Sequence, residues 1–139
     1  MLLLDTHVWI WTVEGDTRRV GRRSRQLIAK AEARESVRIS PATIFEVVAL
    51  HAAGRLQLSR SPEQWIREAL DLPGMHVAEL SAAVAIDAGH IPRTALADPL
   101  DRLLVATARQ LDATFLTSDS AILAYAAQRG IARVRNAAV

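Results

Sequence analysis

The chain has no cysteine in its 139 residues, which excludes a disulfide framework and any thiolate metal site. It has almost no lysine: of 17 basic residues only Lys30 is one, and the rest are arginine. No apolar run approaches the roughly 18 residues that would suggest a membrane span. The opening "MLLLD" lacks the charged leader and the long apolar stretch of a signal peptide, and reads as structure. A reducing cytoplasm is the compartment these absences fit, and no membrane association is expected. Aromatics are also few, 4% of residues, and three tryptophans in so poor a set belong by default to a core.

What is present is one domain's length of chain, 1–139, half of it apolar, with a formal net charge of +2. Guanidinium groups meet phosphate in a planar, two-pronged way, so the arginine bias suits a phosphate-bearing partner; genome composition explains the same bias equally well. "MLLLD" suits a central parallel strand buried on both faces. Further strands are expected at Val37–Ser40, Met75–Leu80, Ala113–Asp119 and Ala132–Arg135. Helical patterns fall at Thr17–Arg34, Pro41–Ala53, Pro62–Leu70, Ala82–Ile91, Pro99–Leu111 and Ser120–Gln128. Turn signals stand at Gly15, "AAGR", "LPG" and Gly130, with no repeat or linker. This alternation predicts a three-layer α/β/α sandwich around a mostly parallel sheet of four or five strands.

In such a sheet, ligands gather outside the carboxyl ends of the strands. Asp5 ends the first strand, Asp119 follows "FLTS", and Ser40 ends "VRIS". Glu46 is the only charge in "ISPATIFEVVAL", with Ala42, Ala49, Leu50 and Ala53 as its helical neighbours and no local basic partner to offset desolvation. In "ADPLDRLLVATA", Asp98 is the natural N-cap before Pro99. Asp101 shares its helical stripe with Leu104, Val105 and Ala108 and so points toward the core rim. Asp119 before "SAILAYAA" also reads as a cap.

Four or five carboxylates on one rim repel one another unless a cation sits among them. Oxygen donors without cysteine favour Mg²⁺ or Mn²⁺ over zinc, and His7, His51, His76 and His90 lack a metalloprotease spacing. His7 follows Asp5 by two, and on an extended chain it would alternate back to the same side.

Asp5, Glu46, Asp101 and Asp119, in this order, resemble the acidic quartet of the PIN-domain ribonucleases, and closely that of the VapC-type toxins of toxin–antitoxin pairs. "LLLDTHVWIW", "ISPATIFEVVAL", "DPLDRLLVATA" and "FLTSD" match the family's four blocks nearly end to end. The resemblance implies a Mg²⁺-dependent ribonuclease whose products carry 5′-phosphate and 3′-hydroxyl ends. It also implies homodimerisation and a cognate antitoxin whose C-terminal segment covers the active site. Asp98 is an additional acid of this subgroup, and Thr6 and Thr117, with Ser118 beside the latter, are similar to small polar residues that support the site. "RTALADP" departs from the more basic lead-in expected at the third block.

If the substrate is RNA, Arg18, Arg19, Arg22, Arg23 and Arg25 are candidate phosphate contacts, against their plainer reading as the solvated face of an amphipathic helix. Trp9, Trp11 and Trp65 would then be available to stack on bases or to line an antitoxin groove. A haloacid-dehalogenase-like phosphatase would need a second aspartate where His7 stands. A non-catalytic RNA-binding or protein-interaction module on the same fold would have lost one or more of the four acids, and all are present.

Overall fold

The computed structural model describes every residue except 130 and 132. The turn expected at Gly130 and the start of the strand expected at Ala132 lie outside the described residues. In chain order the elements are β1 (Leu2–Leu4), α1 (Thr6–Glu14), α2 (Arg22–Ala33), β2 (Val37–Ile39), α3 (Pro41–Ala52) and α4 (Pro62–Leu70). They continue with β3 (Met75–Val77), α5 (Ala82–His90), α6 (Pro99–Leu111), β4 (Thr114–Thr117), α7 (Ser120–Arg129) and β5 (Val134–Asn136).

The five strands form one sheet in the order β3-β2-β1-β4-β5, and every pairing is parallel. Each residue of β1 is buried, as a strand covered on both faces must be. Leu2 and Leu4 point into a core under α1 to α4, with Val8, Trp9, Ile28 and Trp65. Leu3 points to the other face, with Phe115, Leu104 and Ile122 under α6 and α7. Period-two alternation along three residues thus builds both layers of the sandwich.

The chain runs outward from β1 through β2 to β3, then returns to β4 and β5 on the opposite side. The strand order therefore reverses between β1 and β4, and a crevice opens at their carboxyl ends. Caps fix where the helices begin. Ser40, Ser61 and Asp98 accept backbone N–H groups ahead of a proline in the first turn of α3, α4 and α6.

Helix α1 corrects the sequence reading, which began its first helix at Thr17. "THVWIWTVE" is rich in β-branched and aromatic residues and buries Thr6, Val8, Trp9 and Ile10, so it has little polar face to betray a helical period. The cap at Asp5 and the left-handed Gly15, φ 71°, define its ends. The helix expected from Thr17 starts only at Arg22, behind Gly21. The strand expected over Met75–Leu80 stops at Val77.

Candidate active site

Asp5, directly after β1, is 9% exposed. Its Oδ1 accepts the Thr6 N–H at 2.8 Å and its Oδ2 accepts the Thr117 hydroxyl at 2.5 Å. Thr117 Oγ1 in turn accepts the Asp119 N–H at 3.0 Å, so one threonine at the end of β4 ties two of the acids together across the strand reversal. Burial pushes the Asp5 carboxyl up from its ordinary pKa despite these hydrogen bonds, and the charges of Glu46 and Asp119 push the same way.

Asp101, half-buried in the first turn of α6, is raised further, to about 7. Burial is the main cause, followed by Asp98, Asp119, Asp5 and Glu46. Residues from β1, α3, α6 and the β4–α7 junction thus converge on one rim. The ion pairs among the described residues lie elsewhere: Arg19–Asp16, Arg60–Glu68, His76–Glu35, Arg109–Asp87 and Arg133–Asp112.

Asp98 is exposed and caps α6, its Oδ1 accepting the Leu100 N–H at 2.9 Å. Asp119 caps α7, its Oδ1 accepting from Ala121 at 2.8 Å and Ile122 at 3.2 Å. Each cap engages Oδ1, and among the described residues Oδ2 of Asp98 and of Asp119 accepts no hydrogen bond. Glu46 is half-buried on α3. One turn before it, Thr43 is fully buried and its hydroxyl has no hydrogen-bond partner among the described residues, as is the case for Thr6. Sequence reasoning named Thr6 and missed Thr43, although its place three residues before Glu46 was visible.

The residues present offer a hard cation the oxygen donors it prefers. Among the described residues, however, no three His, Asp or Glu side chains are gathered tightly enough to hold a metal ion as they stand. The donor set fits Mg²⁺ or Mn²⁺ in kind.

His7 does not return to the side of Asp5. The chain turns helical at Thr6, so His7 is exposed on the first turn of α1, its ring 5.8 Å from that of Trp11. Ser118 is exposed beside Thr117. Arg18, Arg19, Arg22, Arg23 and Arg25 are all exposed around the α1–α2 junction and the start of α2. Trp9 and Trp65 are buried edge to face at 5.0 Å. Trp11 instead stays half-buried under the Arg19 guanidinium, 5.4 Å from its ring.

Acids at the carboxyl ends of β1 and β4 in a parallel sheet of this order form an acidic site at the strand reversal. The PIN domain model matches residues 2–131, and the chain belongs to the PIN domain family. Its fold is that of the toxin–antitoxin complex VapBC2 from Rickettsia felis bound to a promoter DNA fragment, with TM-score 0.65, 14% identity and 97% of each chain covered. It is likewise similar to DNA-bound VapBC from Salmonella typhimurium, with TM-score 0.65, 20% identity, and 97% of this chain and 96% of that chain covered. A toxin–antitoxin complex from Klebsiella pneumoniae aligns with TM-score 0.62 and 21% identity, again over 97% and 96%. No curated protein sequence matches significantly.

Proposed function

We propose that the chain is a Mg²⁺- or Mn²⁺-dependent ribonuclease and the toxin of a type II toxin–antitoxin pair. In this reading it acts as a cytoplasmic homodimer and is neutralised by a cognate antitoxin protein. The observation that carries the reading is a rim of five carboxylates at the strand reversal, with Asp101 raised to about 7 by burial and its acidic neighbours. The PIN family match and the toxin–antitoxin complexes sharing the fold support it.

Asp5, Asp101 and Asp119 would hold the cation, with the free Oδ2 of Asp98 at the rim, and Glu46 would bind it or orient the attacking water. A cation held there would supply Lewis acidity toward the phosphate and activate a bound water. Thr117 holds the Asp5 carboxyl in place through the 2.5 Å bond. Burial of Asp5 keeps that carboxylate from wandering.

Asp5→Asn should abolish Mg²⁺-dependent RNA cleavage while the circular dichroism spectrum stays that of the native protein. Full cleavage in excess chelator, or wild-type rates from Asp5→Asn, would refute the metal-dependent acidic site, and no cleavage by the wild type with Mg²⁺ or Mn²⁺ would leave a non-catalytic module.

A further inference from the structure

Beside the acidic rim, α1 carries a surface that the chemistry of phosphodiester cleavage does not use. Its first turn begins at the Asp5 cap, and His7, two residues on, is exposed. One turn further, about 6 Å along the axis, Trp11 presents its ring, tilted 47° to that of His7 at 5.8 Å. Arg19 lies over the Trp11 ring at 5.4 Å. Asp16 holds that guanidinium at 3.6 Å while accepting the N–H groups of Arg18 and Arg19 at 3.1 Å and 3.3 Å.

The other two tryptophans lie in the core, Trp65 with its indole N–H bonded to Glu14 at 2.8 Å. Trp11 is thus the tryptophan available to a ligand. A ring, an indole and a guanidinium side by side make a platform on which any base can stack, because every base has a π-face. The arginine adds attraction for both the ring system and a phosphate. Arg18, Arg22 and Arg25 are exposed nearby and extend the positive charge that a rim of carboxylates needs around it to accept a polyanion.

We propose that His7, Trp11 and Arg19 form a substrate-binding track that stacks the nucleotides of RNA outside the acidic centre. This rests on the ribonuclease reading above. It adds the residues that grip the substrate outside the acidic centre. A folded duplex hides its base faces, so the track selects unpaired segments.

The test uses the full chain with Asp5→Asn as a non-cleaving background and a labelled single-stranded RNA of mixed sequence, with a duplex of the same sequence as the second probe. Trp11→Leu keeps apolar bulk against the core and removes the stacking face. Trp11→Phe keeps a smaller face, and His7→Ala and Arg19→Gln address the two ends.

Trp11→Leu should weaken single-strand binding about tenfold, Trp11→Phe should recover most of it, and Arg19→Gln should lower the salt dependence of binding. Cleavage by Trp11→Leu with Asp5 intact should show a raised KM with kcat nearly kept, because the lost contacts are to substrate away from the reacting atoms. Should wild-type protein cleave RNA while Trp11→Leu, folded by circular dichroism, binds and cleaves unchanged, the track is wrong and the nuclease reading stands. Equal binding of duplex and single strand also overturns it. Loss of antitoxin binding in Trp11→Leu with RNA affinity unchanged would assign this face to a protein partner instead. If wild-type protein neither binds nor cleaves RNA, both readings fall together.

Discussion

Asp101→Asn gives the sharpest test of the crowded rim, because it acts on stability in a pH window that can be worked out in advance. In the folded chain Asp101 holds its proton up to about pH 7, whereas an unfolded aspartate releases it near 3.9. Between those values unfolding releases a proton, so stability falls as pH rises through the window and levels off above it. A shift of that size corresponds to about 4 kcal/mol against the ionised form, and solvent screening at a half-buried side chain brings it to roughly 2 kcal/mol. Asparagine carries no charge to be repelled by Asp98, Asp119, Asp5 and Glu46, the neighbours that raise Asp101 beyond the effect of burial. In chelator-treated protein the variant should therefore melt roughly 6 °C above wild type at about pH 8. Near pH 4, where wild-type Asp101 is largely protonated, the two should melt nearly together. Thermal melts followed by circular dichroism across this range measure it. An equal gain at both ends, or none at the high end, would refute the electrostatic account and leave Asp101 as an ordinary residue of a helix's first turn.

Mg²⁺ added to the chelator-treated wild type should raise the melting temperature by several degrees near neutral pH, since a ligand bound only by the native state stabilises it by mass action. Asp101→Asn should respond much less, and a scan with ionic strength matched by NaCl separates binding from screening. Asp98→Asn should leave stability nearly unchanged and Asp98→Ala should cost about 1 kcal/mol, because the cap needs an acceptor and not a charge; cleavage as lost in Asp98→Asn as in Asp101→Asn would make Asp98 a full ligand. Thr117→Val removes the hydroxyl that donates to Asp5 and accepts from Asp119. It should cost about 1–3 kcal/mol, more at alkaline than at acidic pH, with Thr117→Ser restoring most of it in denaturant titrations.

Much of this arrangement was legible in the residues themselves. The α/β alternation, the buried first strand and the helices opened by Pro41, Pro62 and Pro99 stand where their patterns put them. Asp98 as a cap and Asp101 turned toward the rim follow from one local rule each, N-cap chemistry and the i+3, i+4, i+7 stripe. Helix α1 was not legible because its company is apolar on most sides. Without a polar face a helix and a buried strand write the same composition, and only its end signals, Asp5 and Gly15, distinguished them. His7 was misplaced for the same reason, since period two and period 3.6 send the second residue after Asp5 to different sides. Trp11 shows the limit of composition: scarcity of aromatics put Trp9 and Trp65 in the core correctly. Nothing local told that the third would stop at its edge beneath Arg19.

The rim also shows why cap and ligand are not competing readings of the same aspartate. Helices α4 and α5 are capped by Ser61 and Ser81, which satisfy the orphan N–H groups with no charge to bury. Helices α1, α6 and α7 open on Asp5, Asp98 and Asp119 instead. A charged cap gains about 0.3–1 kcal/mol from each helix dipole, which offsets part of the mutual repulsion and no more, for Asp101 still stands at about 7. If capping were the whole requirement, serine or asparagine at these three positions would serve equally and avoid the conflict. A carboxylate offers a second oxygen, and at Asp98 and Asp119 that oxygen accepts no hydrogen bond among the described residues. The helix ends hold one oxygen of each acid in place, and the surplus negative charge is what a cation would neutralise.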